Sequence, residues 1–169
     1  MEQNLNNLDS KDKTLNFFKE NKKKLLILLS ILLTFSFSYF AYNVYLDEKN
    51  SLISQKYIQA GLLFTSNNKE ESRKIYEEII LSKNKFYSIL ALNIILEKNL
   101  ETRKEKVLEY FRIVEKSNKS SNQKDLILFK KALYLIKYSS IDQGKQILNK
   151  LIKSNSNLKP LAEEILNKK

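Results

Sequence analysis

The longest apolar stretch of the chain runs from Leu25 to Leu46, LLILLSILLTFSFSYFAYNVYL, 22 residues without a charge. As a helix it reaches about 33 Å, enough to cross a hydrocarbon core of about 30 Å. Its polar members are Ser30, Thr34, Ser36, Ser38 and Asn43. Hydroxyls in such a helix bond back to its own carbonyls. Tyr39, Phe40, Tyr42 and Tyr45 gather toward the C-terminal half, where rings with polar tips suit a membrane interface. The core helix of a soluble protein normally carries a polar stripe. This segment has none, and the pattern predicts a transmembrane helix over residues 25–46.

From Asp47 onward apolar positions recur with helical spacing. Polar clusters interrupt them at Ser66–Lys69, Ser82–Lys85, Lys98–Glu101, Ser117–Gln123, Tyr138–Ser140 and Ser154–Asn157. The intervals predict helices of about 11 to 16 residues. Three stretches align without a gap: AGLLFTSNNKEESRKI from Ala60, LNIILEKNLETRKEKV from Leu92 and ALYLIKYSSIDQGKQI from Ala132. In each, an apolar helix end runs into a polar turn and a second helix begins. Apolar residues coincide at Leu62, Ile94 and Tyr134, at Leu63, Ile95 and Leu135, and at Ile75, Val107 and Ile147. Such helix hairpins stack on their neighbours to bury a shared core. Two Gly and one Pro are too few for the turns of an all-β chain. The expected fold is all-α: one transmembrane helix followed by helical hairpins in an α-solenoid.

Lysine placement sets the expected topology. Lys11, Lys13, Lys19, Lys22, Lys23 and Lys24 precede the apolar run, the last three abutting it. Asp47 and Glu48 open the segment after it, where the next twenty residues hold only Lys49 and Lys56. The positive-inside rule then keeps residues 1–24 in the cytoplasm and sends residues 47–169 across, to the periplasm of a bacterium. The tail is expected to be short and mostly unstructured apart from a helical turn over Thr14–Asn21, with Leu15, Phe17 and Phe18 at the headgroup region and Lys22–Lys24 among anionic lipid heads. Cleavage as a signal peptide, with Ser36 and Ser38 as a small-x-small site, is the competing expectation. The run exceeds the usual about 7–15 residues and continues past Ser38, which favours a retained anchor.

The hairpin spacing resembles tetratricopeptide repeats, in which a small residue of the first helix lies twelve positions before a small residue of the second. Ala60 with Ser72 and Ala132 with Gly144 fit, while Leu92 and Lys104 occupy the middle pair. An aromatic expected four residues later is Tyr76 in the first unit and Leu108 and Leu148 in the others. Over nearly the whole chain, the tail NFFKENKKK (Asn16 to Lys24), one span, degenerate hairpins and the stretch KNKFYSILALNIILEKNL (Lys83 to Leu100) resemble the YfgM-type ancillary subunits of the bacterial Sec translocon. The resemblance implies an inner-membrane protein with a periplasmic repeat domain, partnered by translocon subunits and periplasmic chaperones.

Composition bears on chemistry mainly by subtraction. The chain has no Cys and no His, which removes thiolate sites, the commonest metal ligand and the commonest general base. Net charge is +11, but only Arg73, Arg103 and Arg112 are arginines. Arginine supplies the forked contacts of specific phosphate and base readout, so the charge reads as a solvated lysine surface and no nucleic-acid partner is expected. Residues 47–169 carry 24 Lys and Arg against 15 Asp and Glu, a milder balance suited to anionic lipid, an acidic partner or solubility. The acidic neighbours Glu70/Glu71, Glu77/Glu78 and Glu163/Glu164 diverge by about 100° on a helix and cannot share a metal or a proton. Glu70 and Glu71 suit a helix start instead. Neither catalysis, a cofactor, a metal nor a small-molecule substrate is expected.

Binding is then the expected work. Phe64, Tyr76, Phe86, Tyr87, Tyr110, Phe111, Phe129 and Tyr134 are candidates for core or for a peptide groove, with Tyr87 and Tyr110 expected to be the more exposed. In the span, Ser30, Thr34 and Ser38 lie four apart and form a candidate helix-packing face. Two functions fit: a membrane-anchored ancillary subunit of the Sec translocon linking it to periplasmic chaperones, or a repeat scaffold binding a cell-envelope or cell-division component.

Overall fold

The computed structural model describes residues 2–118 and 120–167, with side chains from Asn21 onward. The expectation for Leu15, Phe17 and Phe18 therefore lies outside the described side chains. Seven helices and no strand occur among the described residues: α1 (Glu2–Thr65), α2 (Lys69–Leu81), α3 (Tyr87–Glu97), α4 (Lys104–Ser117), α5 (Ser121–Tyr138), α6 (Ile141–Lys153) and α7 (Lys159–Asn167). The chain divides into two compact units, residues 1–49 and 50–169.

Unit 1 is helical from Glu2, which corrects the expectation of a mostly unstructured tail. Helix growth costs little once a nucleus exists, and the apolar run is that nucleus for the Lys-, Glu- and Leu-containing residues before it. Asn21–Thr65 contains the one segment among the described residues long and apolar enough to cross a membrane, and none of its apolar window is buried.

Unit 2 holds the remaining sixteen residues of α1 and all later helices. Breaks fall at every expected polar cluster. The cluster at Ser117–Gln123 overruns its break the furthest. Ser120 is extended, at φ −68° and ψ 130°, and α5 begins directly after it, so Ser121, Asn122 and Gln123 form an exposed first turn. Three breaks turn on an asparagine with positive φ: Asn67 (65°), Asn99 (50°) and Asn155 (54°). The amides that follow return to carbonyls five residues back, Asn68 to Leu63, Leu100 to Ile95 and Ser156 to Leu151. Asparagine tolerates this left-handed conformation and replaces the glycine that usually closes a helix.

Packing joins each helix from α2 to α7 to the next in sequence, and α2 to α4 as well. The α1–α2 pair is fixed by a buried bond in which Ser72 Oγ donates to the Ala60 carbonyl at 2.8 Å. In the α5–α6 pair, Gly144 lies against Ala132 so closely that a Cβ there would sit 2.7 Å from the Ala132 carbonyl oxygen. Both small-residue pairs therefore meet. The middle pair does not repeat this contact, because Lys104 is exposed while Leu92 is buried.

Two apolar clusters result. The first takes buried residues from α1 to α5, among them Ile53, Tyr76, Ile80, Ile95, Val107, Phe111 and Ile127. The second joins Ala132 of α5 to Leu148 and Leu151 of α6 and Ala162 of α7.

Candidate functional site

The apolar run is exposed along its length. Leu26, Leu29, Leu33, Phe37 and Phe40 are all more than half exposed along α1. Three of its polar side chains bond back to the helix: Ser30 Oγ donates to the Ile27 carbonyl at 2.8 Å, Thr34 to the Ser30 carbonyl, and Asn43 Nδ2 to the Tyr39 carbonyl at 2.9 Å. Satisfying hydroxyls and amides within the helix is what a hydrocarbon environment demands. Ser30, Thr34 and Ser38 are exposed, as are Lys22, Lys23 and Lys24. The helix passes through Leu25 and Leu46 without a break.

In unit 2 the most concentrated charges lie between α2 and α4. Arg73 is mostly buried and donates to Glu70 at 2.7 Å, Glu77 at 3.2 Å and Glu101 at 3.4 Å. Glu101, with only 4% of its side chain exposed, also accepts from Arg103 at 2.7 Å and from the Arg103 backbone amide at 3.0 Å, at the start of α4. The hydrogen-bonded Arg103 guanidinium, against the cost of burial, holds the Glu101 pKa at about 2. Burial alone would raise Glu77, but Lys106 at 2.6 Å and Arg73 lower it on balance. Burial and then the Glu77 carboxylate push the Tyr110 phenol up. Every acid here is matched by a cation, so the network reads as a staple between helices and leaves no carboxyl poised to exchange a proton near neutrality.

Tyr110 corrects an expectation. It is fully buried, not exposed, with its hydroxyl turned toward the Glu77 carboxylate. Val107, Tyr110, Phe111 and Val114 are the buried residues of α4, and their i, i+3, i+4, i+7 spacing is the signal in the sequence that marks Tyr110 as core. Tyr87 is half-buried, stacked at a tilt on Tyr57 with ring centres 5.9 Å apart. Tyr76 and Phe111 are core, whereas Phe86 is 61% exposed.

An open groove of about 350 Å³ lies between α3 and α5. Leu96, Leu133, Tyr134 and Tyr138 supply its apolar wall, and Asn93, Glu97, Lys130 and Lys137 its polar rim. Lys130 Nζ donates to Asn93 Oδ1 at 2.7 Å, bridging the two helices. Lys137 Nζ lies 4.8 Å from the centre of the Tyr138 ring. Tyr134 packs at a tilt on buried Phe111, centres 5.9 Å apart, and on Tyr138 at 5.2 Å, so the aromatic wall is braced from behind. Of the aromatics singled out in the sequence, Tyr134 is the one that lines this groove. Tyr138, Lys130 and Lys137 join it because Lys130 of α5 reaches Asn93 of α3. Such an arrangement can hold an extended segment with an apolar side chain against the tyrosines and hydrogen-bonding groups along the rim. Compared with known proteins, the chain matches no family model, no curated protein sequence and no solved structure.

Proposed function

We propose that the chain is a membrane-anchored protein-interaction module, an ancillary subunit of a bacterial protein-export translocon that links it to periplasmic chaperones. The observation that carries this reading is the single helix α1, which contributes the lipid-compatible run of residues 25–46 and then the first helix of a unit built from helices alone. In this reading residues 1–24 are cytoplasmic, 47–169 periplasmic, and the anchor is retained. The helices of unit 2 form a short α-solenoid of tetratricopeptide-like hairpins: α1 with α2, α3 with α4, α5 with α6, closed by α7. The Ala60–Ser72 and Ala132–Gly144 contacts support it, as does the packing of α2 on α4.

The groove between α3 and α5 is then the surface offered to a chaperone or an exported chain, and Ser30, Thr34 and Ser38 the face offered to a membrane subunit. Small hydroxyl residues in a row permit close helix approach, each interhelical hydrogen bond contributing about 0.6 kcal/mol. Site-specific photo-crosslinking in intact cells tests both. A probe at Thr34 is expected to capture a translocon membrane subunit, one at Leu32 less of it, and one at Leu133 a chaperone or exported chain. Recovery of only a division or envelope protein from both places would replace this reading with that of an envelope scaffold.

A further inference from the structure

The turn between α2 and α3, LSKNKF from Leu81 to Phe86, combines three features that its role in the fold does not require. We infer that it is a membrane-contact element: it rests on the anionic surface of the bilayer that holds the span, with Lys83, Lys85, Arg112 and Lys116 meeting lipid phosphates and Phe86 reaching the headgroup boundary. This rests on residues 25–46 being a span.

Position is the first argument. Asn50 opens unit 2 and lies four residues beyond Leu46, so even a fully extended chain holds it within about 14 Å of the apolar run. Asn84, at the centre of the turn, donates from Nδ2 to Asn50 Oδ1 at 2.7 Å. The Asn84 Oδ1 accepts from the Phe86 and Tyr87 amides at 3.0 and 2.9 Å. The turn is thereby fastened to the residue at which unit 2 begins, the part of the unit that the chain itself keeps nearest the apolar run.

Charge is the second. Lys83 shares an open cleft with Arg112 and Lys116 of α4, and Lys85 is exposed beside it. Within this group Arg112 pairs with Glu109, whose Oε1 lies 3.9 Å away. Lys83, Lys85 and Lys116 have no acidic partner among the described residues, in contrast to the matched cations between α2 and α4. Basic side chains held at an anionic surface strengthen attachment by about fivefold each and lose effect with salt.

Residue choice is the third. Lys83 has a φ of 57°, a conformation that long side chains adopt at a cost and that asparagine or glycine fits. Asparagine stands at the other three positive-φ turns of the unit. A lysine here departs from the chain's own usage. Leu81 and Phe86, 49% and 61% exposed, flank the two lysines. Apolar residues beside basic ones are the composition of an interfacial contact.

The chain has no cysteine, so a fluorophore can be placed on the full-length protein through Lys85→Cys, leaving three cations. The protein is reconstituted in phosphatidylcholine vesicles, alone or doped with phosphatidylglycerol, each carrying a headgroup quencher. Quenching at least about twofold stronger in the doped vesicles is expected, falling to the undoped level in high salt and in the Lys83→Gln/Arg112→Gln/Lys116→Gln variant. Equal quenching in both lipids overturns the inference, and so does a variant with unchanged helix content that quenches like its parent. If inorganic phosphate abolishes the signal where chloride at the same ionic strength does not, the cleft is a site for a free anion and the inference is also overturned. Flotation of the same vesicles reads the anchor separately: protein left at the bottom refutes the span and the inference together, whereas floating protein without lipid-dependent quenching refutes the inference alone.

Discussion

At Glu101 a carboxylate buried to 96% of its side chain is offset by two guanidiniums and a backbone amide. Its pKa falls from an ordinary 4.5 to about 2. A depressed carboxylate stabilises the fold fully above pH 4.5 and loses that contribution as pH falls from 4.5 toward 2. Glu101→Gln should cost about 2 kcal/mol near neutral pH, because buried Arg73 loses one of its acids while exposed Arg103 is rehydrated. Thermal melts of the variant should also show a shallower loss of stability below pH 4.5. The two glycines separate packing from propensity. A Cβ at Gly144 would lie 2.5 Å from Ile136 Cγ1 and 2.7 Å from the Ala132 carbonyl oxygen, whereas one at Gly61 meets nothing nearer than the Tyr76 hydroxyl at 3.7 Å. Gly144→Ala should therefore destabilise by about 1–3 kcal/mol despite the better helix former. Gly61→Ala should stabilise by about 0.5–1 kcal/mol. Denaturation midpoints moving in opposite directions are the check. The Gly144 contact was legible in the sequence through the twelve-residue spacing to Ala132. The Arg73–Glu101 contact was not, since two residues 28 positions apart meet only through the docking of α2 against the start of α4.

Among the elements, each helix end is written in short polar clusters, and that is why the breaks could be placed before the structure. Asn68 donates to Glu71 at 2.6 Å, and Glu70 and Glu71 lie in the first turn of α2, as their charge suggested. Ser140 accepts from the Gln143 amide at the start of α6, and Pro160 falls in the first turn of α7, where a missing amide hydrogen is harmless. What the clusters do not encode is the continuity of α1 before residue 25, because a polar, charged segment reads equally as coil or as the extension of a stable helix. The left-handed asparagines give a test of this scale. Asn99→Ala should cost about 1 kcal/mol, while Asn99→Gly should stay within a few tenths of the parent, as measured by chemical denaturation. Equal loss in both would mean that the side chain matters at this turn, not the backbone conformation.

For unit 2 as a whole, the two apolar clusters imply unequal stability along the chain. The first draws buried residues from five helices, and its most C-terminal member is Ile127. The second rests on Ala132, Leu148, Leu151 and Ala162, with half-buried residues such as Ile136, Ile147 and Ile165 around them. Stacked helices are stabilised by their neighbours, and the end with fewer buried partners opens first. Hydrogen exchange on the full-length protein should therefore show α6 and α7 exchanging together, well ahead of α2, α3 and α4. The N-terminal part of α5 should follow the slower group, because Ile127 belongs to it. A chain ending at Ser139 should keep protection in α2–α4 and lose it in the last turns of α5, where Ala132 and Leu135 are uncovered. A chain ending at Asn118 should fare much worse: it strips Phe111 and Tyr110 of the helix that carries Ile127 and Tyr134. Uniform exchange across α2 to α7, or equal collapse of the two truncations, would show one indivisible core in place of a graded stack.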